Sequence, residues 1–166
     1  MLFFCRCSPF CLGPVSWISV VLCNVLGALN ALTHEVITVT NDSYINAESL
    51  CALLIKLAEL PLGVPITLIL DNARYQRCRI VQERAAALGI ELLYLPPYSP
   101  NLNLIERLWK FVKKKCLYSK YYENFALFKE AITDCLGKVE TEYKKELETL
   151  LTLNFQDFEK AHIVTR

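Results

Sequence analysis

Charge is nearly absent from the first part of this 166-residue chain. Arg6 is the only charged residue among the first 32 positions, and the first acidic residue is Glu35. The stretch is nevertheless broken by prolines and a glycine, whereas a membrane-spanning helix needs about 20 apolar residues in a row. It also lacks the basic start and compact apolar centre of a secretory signal. These absences argue against membrane insertion and export.

The chain also lacks the cysteine spacing of a zinc site. No C-x-x-C pair occurs among its eight cysteines, and the first histidine is His34. The later cysteines stand singly in segments with apolar periodicity, which is typical of buried thiols and not of a secreted disulfide scaffold. A net charge of +1 names no partner, so function has to be sought in local patterns. The apolar content of 54% is enough for one domain with a hydrophobic core.

Apolar periodicity predicts a mixed sheet covered by helices. A hairpin is expected at Asn24–Asn30 and Glu35–Thr40, and two short strands at Ile66–Leu70 and Ile90–Leu95. Either Leu2–Phe10 or Val15–Leu22 could supply a further strand. The expected helices are Asn46–Leu60, Arg74–Leu88, Leu104–Leu117, Phe125–Leu136 and Thr141–Leu151. In such α/β sheets, functional residues tend to lie at the carboxyl ends of strands and in the loops beyond them.

Asp71 and Glu106 are the candidate catalytic residues. Asp71 directly follows an apolar strand, and Glu106 lies in the first turn of a predicted helix, with 34 residues between them. Taken alone, Asp71-Asn72 would be a helix-capping turn and Glu106 a favourable charge at a helix start. Taken together, they place acidic oxygens on separate elements, as two-metal phosphodiester cleavage requires for ions about 4 Å apart. Mg²⁺ prefers such hard oxygen ligands.

Two stretches carry a family resemblance, residues 66–75 (ITLILDNARY) and residues 92–110 (LLYLPPYSPNLNLIERLWK). With the hairpin core Val25–Asn30, they resemble the signature of DDE transposases of the mariner-like insertion-sequence superfamily. The resemblance runs from about Asn24 to Phe158. It implies an α/β, ribonuclease-H-like mixed sheet flanked by helices, and an Asp-Asp-Glu triad that acts on DNA.

By this resemblance, Asp71 is the second and Glu106 the third acid, and both would bind Mg²⁺ or Mn²⁺ in a two-ion site. Asn72 accompanies the second acid and would otherwise cap the following helix, while Asn103 would cap or position the Glu106 helix. Trp109 is expected in the core. The loop that directs Glu106 would consist of Pro97, Tyr98, Ser99 and Pro100. A basic patch that would contact DNA phosphates consists of Lys110, Lys113, Lys114 and Lys115.

The first acid of the triad is missing from the position that the resemblance implies. The family carries it on a central strand before the hairpin, whereas Glu35 falls in the hairpin turn and Asp42 after its second strand. The family's N-terminal helix-turn-helix modules are absent as well. We therefore interpret residues 1–23 as an atypical segment that is not native to the family, residues 24–158 as a partial catalytic domain, and residues 159–166 as a tail. A truncated or frameshifted reading frame would explain this pattern.

The leading functional hypothesis is a remnant of a cut-and-paste DNA transposase with very weak or absent strand cleavage, because two carboxylates hold a metal pair less well than three. DNA would be its partner, a homodimer is an allowed assembly, and no membrane is involved. Its location would be cytoplasmic, or nucleoid-associated in a bacterium. One alternative is another ribonuclease-H-like nuclease such as a junction resolvase, against which the Pro-Pro-Tyr-Ser-Pro run argues. The others are a non-catalytic DNA-binding or dimerising protein and a small membrane or secreted protein.

Overall fold

A five-stranded mixed sheet organises the part of the chain that the computed structural model describes, which is residues 1–12, 21–96 and 102–154. The strands are β1 (Leu2–Leu12), β2 (Val21–Asn30), β3 (Val36–Asn41), β4 (Ile66–Leu70) and β5 (Ile90–Tyr94). They lie in the order β3-β2-β1-β4-β5. The β1–β2 and β2–β3 pairs are antiparallel, whereas β1–β4 and β4–β5 are parallel. The predicted mixed sheet is therefore confirmed.

Helices cover both faces of the sheet. They are α1 (Ala47–Ala58), α2 (Arg79–Ala87), α3 (Ile105–Cys116), α4 (Phe125–Gly137) and α5 (Lys144–Leu150). The first two pack on one face and the other three on the opposite face, which gives two separate apolar cores. Asn46 and Asn124 begin α1 and α4, since each side chain accepts a hydrogen bond from a backbone N–H of the first turn. No helix in the described ranges is long and apolar enough to cross a membrane.

The N-terminal residues form the central strand. Residues Phe3–Leu12 of β1 pair with β2, but only Leu2–Cys5 pair with β4. Beyond Cys5, β2 is the strand that pairs with β1, and Pro9 lies in this part, where a missing N–H donor is tolerated. The boundary predicted at residue 23 falls inside β2. Residues Leu2–Leu12 form β1 of the same five-stranded sheet. Most of the other predicted strand, Val15–Leu22, lies outside the described residues.

Strand alternation sends the β1 side chains to different cores. Phe3 and Cys5 are buried against α1 and α2, whereas Phe4 is buried on the side of α3. Arg6 therefore belongs to the α3 side of the sheet. This placement brings a charged side chain to the face that carries Glu106.

One predicted helix is different in the structure. The periodicity predicts a continuous helix over Arg74–Leu88, but a 3₁₀ turn at Arg74–Arg77 is separated from α2 by Cys78, whose backbone is extended. The physical reason is Gln76, which is fully buried and whose side chain accepts a hydrogen bond from Ala73 N at 2.8 Å. The remaining predicted elements agree with the structure to within a few residues at their ends.

Six cysteines are free thiols, of which Cys78 is half-buried and the others are buried: Cys5, Cys23, Cys51, Cys116 and Cys135. Burial raises the pKa of Cys23 and of Cys51 above the ordinary thiol value. These residues act as small apolar side chains in the core, in keeping with their single positions along apolar stretches.

Candidate active site

Asp71 is the first residue after β4, and its carboxylate is held by a buried amide. Gln76 Nε2 donates to Asp71 Oδ1 at 2.6 Å, and the backbone carbonyl of Gln76 accepts from Tyr94 Oη at 3.0 Å. Asn72, the next residue, has a φ of 70°, a left-handed conformation that Asn tolerates better than most residues. Ala73 and Cys78 occupy the cap positions of the following elements. The capping role considered for Asp71 and Asn72 is therefore wrong, and the pair forms a turn that presents a fixed carboxylate.

Glu106 lies in the first turn of α3, which two side chains attach to the central strand. Asn103 Nδ2 donates to Cys5 O at 3.2 Å, and Trp109 Nε1 donates to Arg6 O at 3.3 Å. Asn103 does not cap the helix, because Leu104 is at the cap position without a side-chain hydrogen bond. It positions the helix instead, and the Asn103 carbonyl accepts from Glu106 N at 3.0 Å. Trp109 is 3% exposed and belongs to the core, as predicted.

Arg6 brings the two predicted acids together. Its Nη1 lies 3.6 Å from Asp71 Oδ2 and also makes a close ion pair with Glu106 Oε1. The side chains of Arg6, Asp71 and Glu106 are 35%, 21% and 18% exposed, so the cluster is partly sheltered from water but open on one side. Asp71 and Glu106 thus face one shared cationic nitrogen, and the spatial proximity expected from their spacing is present.

The register of the sheet explains the position of Arg6. Cys5 pairs with Leu70, so the next residues, Arg6 and Asp71, lie level with each other on adjacent parallel strands. Sequence reasoning considered Leu2–Phe10 only as a possible further strand and missed Arg6. The available signal was its isolation as the only charge among 32 residues, and a lone charge in an apolar strand calls for a partner.

The acid pair does not provide a ready two-ion site. No group of three or more His, Cys, Asp or Glu residues able to hold a metal occurs in the described ranges. Oxygens of both carboxylates are engaged by the Arg6 guanidinium, and Gln76 engages the second Asp71 oxygen. A divalent ion would have to displace a permanent cation from between its own ligands. The donor set therefore fits an internal ion-pair cluster better than a metal pair.

The four predicted lysines of α3 have different environments, and Lys113 is half-buried. Lys110 and Lys114 are exposed and line a groove between α3 and α5. Lys110 follows Glu106 by one helical turn, so it lies on the same side of α3 as the acid. Lys115 instead pairs with Glu146 at 2.9 Å and lies over the rings of Phe111 and Tyr143.

The Lys115 contacts make it a link between helices. Its pKa is raised mainly by the hydrogen bond to Glu146. Arg107 has a similar role that sequence reasoning missed, because its guanidinium donates to the carbonyls of Leu150, Thr152 and Asn154 near the end of α5. Both residues fix the groove in which Lys110 and Lys114 are exposed.

Two sets of predicted positions stand apart from this cluster. Pro97, Tyr98, Ser99 and Pro100 lie outside the described residues. Asp42, considered as a substitute first acid, follows the edge strand β3 and pairs with Lys129 at 2.8 Å. It is thus engaged at the far edge of the sheet from β4.

The model of the family described as DDE superfamily endonuclease matches residues 19–129. The chain belongs to this family. The matched range contains Asp71, Glu106 and the α3 lysines, whereas Arg6 lies before it. In this DDE superfamily endonuclease domain, both acids lie within the matched range. The central strand β1, which carries Arg6, lies before it.

One curated relative matches part of this chain. A curated relative, the "Uncharacterized protein y4pE/y4sA" of Sinorhizobium fredii, is 29% identical over 73 residues, which are 44% of this chain and 50% of the relative. The match thus spans half the length of that relative.

Solved structures show the fold of this DDE endonuclease domain. The HTLV-2 integrase catalytic core in its dimeric complex with magnesium has a TM-score of 0.62 at 14% identity, covering 84% of this chain and 86% of that one. The BIV integrase core has a TM-score of 0.59 at 17% identity over 89% and 94%. A simian T-cell lymphotropic virus intasome in complex with PP2A regulatory subunit B56 gamma has a TM-score of 0.59 at 16% identity, over 99% of this chain and 59% of the other. The fold is the ribonuclease-H-like fold of integrase catalytic cores.

Proposed function

We infer that this chain is a DNA-binding domain of the transposase and integrase type in which strand cleavage is very weak or absent. The observation that carries the proposal is the convergence of Asp71 and Glu106 on Arg6 Nη1. Convergence supports descent from a metal-dependent DNA strand-transfer centre. The guanidinium between the acids favours a non-catalytic DNA-binding role for the present chain.

DNA would contact the exposed lysines on the acid side of α3. Lys110 and Lys114 line one groove, and Lys110 lies one turn from Glu106, so a phosphate backbone bound there would run beside the acid pair. Mg²⁺ or Mn²⁺ would be the metal of the intact ancestral site, with Asp71 and Glu106 as two of its ligands. A homodimer and a cytoplasmic or nucleoid-associated location are part of the same proposal.

Salt-dependent DNA binding tests the lysine groove. Fluorescence anisotropy with a labelled duplex would be recorded over a series of KCl concentrations for wild type and the Lys110→Ala/Lys114→Ala variant. We expect weaker binding and a salt slope reduced by about 2, because each lost phosphate contact removes about one released counterion. A matched control is Lys56→Ala/Arg79→Ala, which removes two positive charges from α1 and α2 on the opposite face. Equal losses in the two double variants would contradict the proposed groove.

Nicking of supercoiled plasmid tests the catalytic part of the proposal. With Mg²⁺ or Mn²⁺, we expect wild type to match the Asp71→Asn/Glu106→Gln variant at the background rate, while both still bind DNA. Nicking by wild type that the double variant lacks would show an active nuclease and refute the inactive assignment. Absence of DNA binding in wild type would refute the proposed function as a whole.

A further inference from the structure

The acid cluster is arranged around a single cationic side chain, Arg6. Arg6 Nη1 contacts one oxygen from each carboxylate, and Gln76 holds the remaining Asp71 oxygen. Each of the three side chains comes from a different part of the fold: Arg6 from β1, Asp71 from the end of β4 and Glu106 from α3. A single cation therefore joins three parts of the fold at one point.

Helix α3 packs directly on the backbone around Arg6. Trp109 donates to the Arg6 carbonyl, and the residue opposite Arg6 on β2 is Gly27, which has no side chain. A Cβ at Gly27 would lie 2.6 Å from Trp109 Cζ2, so the indole packs directly over this glycine. Close packing of α3 on the β1–β2 pair therefore fixes the backbone from which the Arg6 side chain projects.

We propose that Arg6 replaces the divalent cation at this site and makes the acid pair stable without metal. Two neighbouring carboxylates repel each other unless a positive charge lies between them. A guanidinium supplies that charge and does not lose its proton in proteins. Mg²⁺ would have to approach a fixed positive charge and find carboxylate oxygens that are already engaged. The inference deepens the proposed function and rests on it for the ancestry of the acids, whereas metal binding is measured separately from DNA binding.

Because of this register, a single substitution at Arg6 could convert the cluster into a set of three carboxylates. Arg6 is level with Asp71 and on the same face as Glu106. Arg6→Asp would therefore place a third carboxylate beside the other two, on three separate elements. Such a set of hard oxygen ligands suits Mg²⁺ or Mn²⁺, which keeps waters in its remaining positions. Arg6→Gln removes the cation without adding an acid, and Arg6→Lys keeps a positive charge.

Thermal unfolding followed by circular dichroism, with and without MgCl₂ or MnCl₂ at matched ionic strength, tests the proposal. We expect no change in Tm for wild type and Arg6→Lys, and a small rise with metal for Arg6→Gln. Arg6→Asp should have the lowest Tm without metal and the largest rise with it, roughly 5 to 10 °C when the ion is at about a hundred times its Kd. Lys129→Gln, which removes a cation from Asp42 at the far edge, is the matched control and should not respond to metal.

Binding of Mn²⁺ measured by electron paramagnetic resonance gives a second readout that does not require a thermal transition. Wild type should leave the free Mn²⁺ signal unchanged, and Arg6→Asp should reduce it in a manner abolished by adding Asp71→Asn. Tight binding by wild type, or equal binding by wild type and Arg6→Gln, would overturn the proposal. Such a result would leave salt-dependent DNA binding, and hence the proposed function, unaffected.

Discussion

Gly27→Ala tests how closely α3 packs on the central strands. The added Cβ would lie 2.6 Å from Trp109 Cζ2, 2.9 Å from Trp109 Cη2 and 3.2 Å from Ile105 Cδ1. Carbon atoms pack best at about 3.5 to 4.0 Å, so the indole would have to retreat by about 1 Å. It has little room to do so, because the ring is buried and its Nε1 is bonded to Arg6 O.

Overpacking of this kind costs about 1 to 3 kcal/mol, since neighbouring side chains leave their preferred positions. A loss of 1 kcal/mol lowers Tm by about 2 to 4 °C in a chain of this size. We would measure the free energy of unfolding by urea titration followed by far-ultraviolet circular dichroism. Gly137→Ala is the matched control, because the same methyl group would meet no atom within 4 Å at the end of α4. It should be neutral or slightly stabilising.

A double substitution decides whether the predicted contact is the cause. Trp109→Phe makes space over Gly27, so Gly27→Ala should cost less in that background, with a coupling of about 1 kcal/mol or more. The reasoning would be refuted if Gly27→Ala were within about 0.5 kcal/mol of wild type. Strictly additive effects of the two substitutions would refute it equally.

Two further predictions concern stability. Asn103→Ala removes the hydrogen bond from Asn103 Nδ2 to Cys5 O. We expect the free energy of unfolding, measured by urea titration, to fall by about 1 kcal/mol. An unchanged urea midpoint would show that the bond does not anchor α3. Burial raises the pKa of Cys23 and Cys51, so these thiols keep their protons longer in the folded chain than in the unfolded one. Stability should then be independent of these thiols below their ordinary pKa of about 8.5 and fall as pH rises above it towards the folded values. Urea midpoints between pH 7 and 10.5 should show a smaller alkaline decline for Cys23→Ala/Cys51→Ala than for wild type, and equal declines would contradict the assignment.

The elements with strong local patterns were predictable. The strand Ile66–Leu70 is a short apolar run between turn residues, and α3 repeats apolar residues at helical spacing, so both follow from the sequence alone. Asp71 follows that strand and Glu106 lies in the first turn of that helix, and this pairing together with the family resemblance made them the candidate acids. The break at Cys78 could not be predicted in this way, because it depends on the burial of Gln76, which no local pattern reveals.

The chemistry of Arg6 was beyond local reasoning for a different reason. Its effect depends on a parallel register that pairs Cys5 with Leu70, and parallel partners are separated by long crossover connections. The sequence shows no Asp or Glu before Glu35, but only the sheet shows which residue stands beside Asp71. The different environments of the α3 lysines could not be predicted for the same reason. Lys115 differs from the exposed lysines because it contacts Glu146 and the rings of Phe111 and Tyr143.

The central position of β1 also has a consequence for the order of folding. Its antiparallel partner β2 follows within 30 residues, whereas its parallel partner begins only at Ile66. Closing the longer loop costs more chain entropy, and non-local pairing of this kind is slow. We therefore expect the β1–β2–β3 meander to assemble first and to remain aggregation-prone until β4 covers its open edge.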